Sequence, residues 1–271
     1  MSPPEISRLR EHFDGISARY YSIVDRIWYD VGYYHRKERE FLEHFLGSDI
    51  DLAIDAGCGP GRHTAFLSVM AKRVVALDIS HRMLQAARNE VPAERRGGVS
   101  LIQADIRHMP LKDGVADAIV NMEVLEHLPR GLSDAARVLR EFRRVLRPGG
   151  ALVTEVPLKM HTHWLALRFA RASLKELTAE SRERFYVQSP LEIQQFYYRR
   201  EVERLIRRAG FGLETRTFVR VLPAGLVERV PQLASLDRLL EKLPLLNGLA
   251  REVIWRVRAR APIRNAGGDI G

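Results

Sequence analysis

The stretch IDAGCGPGRHTAF, residues 54–66, decides the fold reading. An apolar run ends at Ile54 and Asp55, glycines stand at 57, 59 and 61, and a helix-like segment follows. A strand, a glycine turn and a helix N-terminus in that order leave backbone amides bare and let a ligand approach closely. The spacing is G-x-G-x-G rather than the G-x-G-x-x-G that cradles a pyrophosphate. Asp55, immediately before the loop, disfavours a phosphate and favours a cation, such as an ammonium or a sulfonium.

Outward from this loop, short apolar runs alternate with longer amphipathic ones, the pattern of βα units around a parallel sheet. DLAID, RVVALD, VSLIQAD, ADAIVNM and ALVTEVP are the candidate strands, and Asp78 and Asp105 end the second and third. An acidic side chain at the end of the second strand suits ribose hydroxyls, and Asp105 lies within reach of an adenine amino group. Ala135, Leu139, Phe142 and Leu146 share one face of a helix that Ser133 or Asp134 caps and Pro148-Gly149-Gly150 ends. Helical spacing also runs through residues 5–46. Beyond 157 the basic LKMHTHWLALRFARASLKEL reads as an insertion near the substrate site, YYRREVERLIRRAGF as a helix ending at Gly210, and GLETRTFVRVL as a strand. Leucine-rich residues 223–249, broken by Pro231 and Pro244, read as short helices before REVIWRVRARA, a final half-exposed strand.

The 271 residues, 46% of them hydrophobic, suffice for one large domain with additions. One cysteine, Cys58, leaves no internal disulfide framework and fits a reducing compartment. The start lacks a signal-peptide core and no run is long enough to span a bilayer, so the reading is soluble and cytoplasmic. Of the formal charge of +9, most lies in residues 161–271, with 20 Lys and Arg against 12 Asp and Glu. Such a surface suits nucleic acid, an anionic membrane or an anionic substrate.

Five stretches, DAGCGPGRHT, ALDIS, QADIRHMPL, NMEVLEHL and LREFRRVLRPGGALVTEVP, resemble in order the motifs of class I S-adenosylmethionine-dependent methyltransferases, of the ubiquinone-menaquinone-pathway-like branch. The resemblance covers roughly residues 50–160 closely and extends to about 212. It implies an α/β, Rossmann-like seven-stranded sheet, mostly parallel with an antiparallel last strand, and S-adenosyl-L-methionine as cofactor. Gly57, Gly59 and Gly61 would line its methionine part, Asp78 with Ile79 its ribose, and Asp105 with Ile106 its adenine. Met122 and Glu123 would lie under the methyl donor, Asp55 before the loop, and Tyr20 and Tyr21 would cover it from an N-terminal lid.

Methyl transfer from a sulfonium needs positioning and removal of a proton from the acceptor. Glu126 and His127 are the candidate catalytic residues, His127 as general base. Glu123-x-x-Glu126-His127 also resembles the metal-binding motif of ubiquinone-pathway O-methyltransferases and small-RNA 3′-end ribose methyltransferases, where a magnesium-like cation binds vicinal hydroxyls. His161 and His163 could add a ligand.

The expected organisation is an N-terminal helical lid over 1–48, a methyltransferase core over 49–222, a helical insertion over 223–250, a final core strand over 251–261 and a flexible tail over 262–271. The expected activity is O- or C-methylation of a small-molecule or lipid-like acceptor, with peripheral membrane contact as a partner surface. The alternatives are an RNA ribose or other nucleic-acid methyltransferase and a non-catalytic cofactor-binding subunit. Against nucleic acid, the N/D-P-P-Y/F tetrapeptide of base-amino methylation is missing.

Overall fold

The computed structural model describes residues 4–19, 31–158, 185–189, 192–222, 227, 230–247 and 249–260. Its centre is a seven-stranded sheet in the order β3-β2-β1-β4-β5-β9-β8. The strands are β1 Ile50–Ala56, β2 Ala71–Asp78, β3 Val99–Gln103, β4 Ala116–Asn121, β5 Leu146–Pro157, β8 Phe211–Val219 and β9 Glu252–Ala259. β1 to β5 pair in parallel, while β9 is antiparallel to both β5 and β8. The antiparallel last strand is therefore present, inserted between β5 and β8.

The central runs are almost uniformly apolar because both faces of the sheet are covered. On one face α2 (Val31–Leu46) and α3 (Arg62–Met70) pack Leu42, Phe45 and Leu67 against Ala53, Val74, Val153 and Ile254. α4 (His81–Glu90) shares that face through Leu84 and Ala87 on Ala76. On the other, α5 (Leu132–Val145) and α6 (Arg199–Arg208) press Val138, Leu139, Phe142, Val202 and Ile206 onto Ile54, Ile119, Leu152 and Trp255.

Three expectations are corrected here. β9 is not half-exposed: Val253, Trp255 and Val257 meet one layer while Ile254 meets the other, so both faces are buried. No side chain caps α5; Gly131 precedes it, and buried Asp134 accepts the Arg130 N–H at 3.1 Å. α5 also stops at Val145, with Pro148-Gly149-Gly150 already in β5.

A two-stranded hairpin, β6 (Phe185–Ser189) with β7 (Glu192–Phe196), was not expected from the sequence. It is anchored from its second strand: Gln195 Nε2 donates to the Leu128 carbonyl, and the Tyr197 hydroxyl to the Leu125 carbonyl at 2.7 Å. At the N-terminus α1 (Pro4–Ile16) lies against α4. Between β8 and β9, α7 (Leu233–Glu241) is held to α2 by the buried Lys37 ammonium, which pairs with Glu241 and lies 3.6 Å from Asp237. Tyr20, Tyr21, His161, His163 and residues 262–271 lie outside the described residues.

Candidate functional site

At the end of β1 the chain turns through the glycine loop, and the loop is fastened to β2. The amides of Gly57 and Cys58 both donate to the Leu77 carbonyl, at 2.8 and 2.9 Å. Gly57 has φ +81°, and a Cβ there would lie 2.5 Å from Cγ2 of Val124, so glycine permits the close contact of loop and Val124. The Gly59 N–H donates to Asp78 Oδ2 at 2.8 Å. Gly57 and Gly59 thus face a cleft across the C-terminal ends of the strands, where open α/β sheets place ligands.

Gly61 and Asp55, expected in the same cleft, do other work. A Cβ on Gly61 would sit 2.5 Å from the Ala87 Cα, so this glycine permits the close crossing of α3 and α4. Asp55 is buried beneath the loop, where its carboxylate accepts the Thr64 hydroxyl at 2.6 Å. Burial raises its pKa against the pull of His63 and Thr64.

Asp78, in contrast, lines the cleft. Its Oδ1 accepts the Ser80 N–H at 2.8 Å, and burial, only partly offset by the amides it accepts, pushes its pKa up to about 6. Ile79, Ala104, Ile106 and Met122 also line this cleft. Asp105 does not reach it. Both its oxygens are taken by Arg107, whose guanidinium also meets Asp134 at 3.1 Å. Burial would raise the Asp105 pKa, but the Arg107 bonds outweigh it and hold the carboxyl below its usual range. Ile106 next to it faces the cleft, so the apolar neighbour, not the carboxylate, borders the expected adenine side.

Beyond β4 the backbone reverses at Glu123, which has φ +54°. The Glu123 carboxylate accepts from Arg62 Nη2 at 3.2 Å, and the same guanidinium lies 2.9 Å from buried Glu38 of α2. His63 Nε2 meets Glu38 at 3.2 Å. The following single 3-10 turn, Leu125–His127, sends its last two side chains apart. His127 lines the cleft; Glu126 does not, and of the charges it feels Glu123 is the largest, ahead of Glu252 and Arg251 at the start of β9.

Burial governs both residues. Desolvation pushes Glu126 up to about 8, leaving it a neutral acid at pH 7, and pushes His127 down to about 4, leaving it a neutral imidazole. Glu123, Glu126 and His127 do not converge: among the described residues no three His, Cys, Asp or Glu side chains are grouped to hold a metal ion. The expected cation site is not assembled from these residues, because adjacent positions in a tight turn point in different directions.

An N-terminal lid was expected from the sequence, but not which residues of α1 roof the cleft. Leu9 and Phe13 of α1 line it, and the Phe13 ring meets His127 edge-on with centroids 5.4 Å apart. α1 is tied down at both ends. Asp14 accepts the Ser80 hydroxyl at 2.6 Å and the Arg82 N–H at 3.2 Å, and Glu5 meets Arg130 at 3.3 Å. Cys58, Arg62, His63 and Met83 complete the walls, around about 920 Å³ of empty space that is partly open to solvent. Spacing of three and four along α1 showed the helix; which face would roof the cleft was not readable from it.

Residues 54–154 match the methyltransferase domain family. A probable S-adenosylmethionine-dependent methyltransferase of Mycobacterium tuberculosis is 35% identical over 104 residues, 38% of this chain and 35% of that protein. The trans-aconitate 2-methyltransferase of Azoarcus is 37% identical over 124 residues, 45% of each chain. The chain thus spans less than half the length of these curated relatives. Among solved structures, the N-methyltransferase NodS from Bradyrhizobium japonicum, in complex with S-adenosylhomocysteine, superposes with a TM-score of 0.60 at 15% identity, over 96% of this chain and 100% of that one.

Proposed function

We propose, for a chain whose residues 54–154 belong to the class I S-adenosylmethionine-dependent methyltransferases, that it methylates a small-molecule or lipid-like acceptor on oxygen or carbon. The observation that carries this reading is the cleft itself: a glycine loop open at Gly59, a carboxylate at Asp78, apolar walls, and an apolar roof from Leu9 and Phe13.

These residues fit the cofactor. Gly59 leaves open space where a Cβ would stand, Gly57 lets Val124 pack against the loop, Asp78 offers carboxylate oxygens to hydroxyl donors, and Ile79, Ala104 and Ile106 provide an apolar slot for a purine. When bound, S-adenosylmethionine supplies a methyl group already activated by a sulfonium. What remains for the protein is to orient the acceptor, exclude water and deal with its proton.

His127 is the residue we assign to the acceptor's side of the cleft. Its Nδ1 has no partner among the described residues, and a neutral imidazole there can accept a hydrogen bond and orient a hydroxyl or acid. An imidazole this weakly basic takes a proton reluctantly. It therefore favours an acceptor that arrives acidic or already ionised, which trans-aconitate, named for the Azoarcus relative, would satisfy. Glu126 is buried and does not line the cleft.

Two measurements test the reading. Calorimetry with S-adenosylhomocysteine should show binding, and its absence would defeat the enzyme assignment. Incubation with labelled S-adenosylmethionine and a fractionated extract, with and without chelator, should then label an organic small-molecule fraction equally in both. Label recovered in RNA instead would overturn the acceptor class.

A further inference from the structure

Helix α7 is amphipathic in the inverted sense. Its acids point inward: Asp237 accepts the Leu222 N–H at 2.8 Å and Glu241 the Arg220 N–H at 2.9 Å, and both face the buried Lys37 ammonium. Two of its leucines point outward, Leu239 57% and Leu236 42% exposed, followed past the helix by Leu243 at 42% and Leu245 at 96%, while Leu240 packs against the core. A helix that had only to cover a core would do the reverse.

At roughly 100° per residue, Leu236, Leu239 and Leu243 form one stripe, bordered by Arg238 and Lys242. Five of the eight exposed large hydrophobic side chains among the described residues lie between Val230 and Leu245. With Asp237 and Glu241 turned inward, the charged groups on the solvent side are Arg238, which lies 3.6 Å from Glu40 of α2, and Lys242 just past the helix, in a protein of formal charge +9. Such a patch is apolar and positive together.

Its location gives the patch a purpose. β8 runs parallel to β5 because both are antiparallel to β9. The connection from Val219 to Glu252 that carries α7 therefore sits at the C-terminal edge of the sheet, the edge where the cleft opens. We propose that α7 and the turn after it dock this edge on an anionic phospholipid surface, leucines in the acyl boundary and Arg238 and Lys242 among the headgroups. This rests on the lipid-like side of the acceptor reading, yet docking itself requires neither cofactor nor turnover.

The test is co-sedimentation of the full chain with vesicles of pure phosphatidylglycerol, beside pure phosphatidylcholine and a vesicle-free control. The protein should pellet with the anionic vesicles, much less with the neutral ones, and less as salt is raised. L239E/L243E should lower partition on the order of tenfold or more, and R238A/K242A several-fold, with melting temperature unchanged. Should the first variant fail to fold, the second carries the same comparison. Wild-type protein that stays in the supernatant, or variants that pellet like wild type, would overturn the proposal. So would a vesicle-free dimer dissociated by L239E/L243E, because the stripe would then belong to a second copy. Loss of S-adenosylhomocysteine binding with vesicle binding intact would count against the methyltransferase reading and leave the docking surface standing.

Discussion

Asp14 and Ser80 are 66 positions apart in the chain, yet the Ser80 hydroxyl donates to the Asp14 carboxylate at 2.6 Å. Ser80 is also the N-cap of α4, its Oγ accepting the Met83 N–H at 3.1 Å. One hydroxyl therefore starts the helix behind the cleft and latches the roof over it.

Breaking that latch should act on ligand binding more than on stability. Asp14→Ala removes a charged hydrogen bond worth roughly 1.5–3 kcal/mol, part of which solvent restores at the half-open roof. S-adenosylhomocysteine should bind about tenfold more weakly in calorimetry, with a small change in melting temperature. Unchanged affinity would show that α1 does not close over the ligand.

The two buried glycine contacts should separate by consequence. Gly61→Ala drives a Cβ to 2.5 Å from the Ala87 Cα at φ +97°, against backbone rather than a flexible side-chain end. A destabilisation of about 2–3 kcal/mol in denaturant titration is expected. Gly57→Ala meets the Val124 methyls instead, at 2.5 Å, so its larger effect should be lost ligand binding.

Lys37 is the buried cation between Asp237 and Glu241. Burial first, and then Asp237, raise the Glu241 pKa to about 7, while Lys37 pulls it down. Lys37→Met strands two buried carboxylates without their ammonium and should cost about 3–5 kcal/mol, measured by urea unfolding.

Glu126 predicts a pH dependence of stability. Its folded pKa of about 8 lies above the ordinary 4.5, so the native state holds the proton more tightly than the unfolded chain. The stability this contributes is fully present below about pH 4.5 and is lost as pH rises through about 8. Glu126→Gln, neutral throughout, should flatten that part of the profile and be more stable than wild type at pH 8 by about 1 kcal/mol or more.

For the reaction, His127→Phe should keep S-adenosylhomocysteine affinity within about threefold and lower turnover by about 10²-fold or more. Equal losses in both would make His127 part of the cofactor wall only.

The parallel strands were legible because strands covered on both faces are written as unbroken apolar runs, and the glycine loop because positive φ leaves a trace in residue type. The hairpin around Gln195 was not, since its strands are mixed five-residue runs, FYVQS and EIQQF, and its anchor is the Leu128 carbonyl, a backbone group with no sequence signature. Asp78 stands in the cleft because it ends a strand, where side chains project over the sheet's C-terminal edge. That Asp105 pairs with Arg107 outside the cleft was not legible, because the pairing depends on a local turn, and Arg107 is in turn held by Asp134 from α5. Glu126 and His127 were read as a pair because they are adjacent, whereas a tight turn separates adjacent side chains widely.

The latch on α1 also bears on the order in which this protein assembles. Asp14 finds Ser80 and Arg82 across 66 and 68 positions, and Glu5 finds Arg130 across 125. Helix α1 thus precedes its partners in the chain across loops as long as that between β1 and β4, where Ala53 pairs with Ala118, but it is held by a few polar contacts rather than by a strand ladder. The sheet can be complete while the cleft is still roofless. Amides of α1 should accordingly exchange with solvent through a separate, lower-energy opening than those of β1 and β4, a local unfolding that uncovers the site without dismantling the fold.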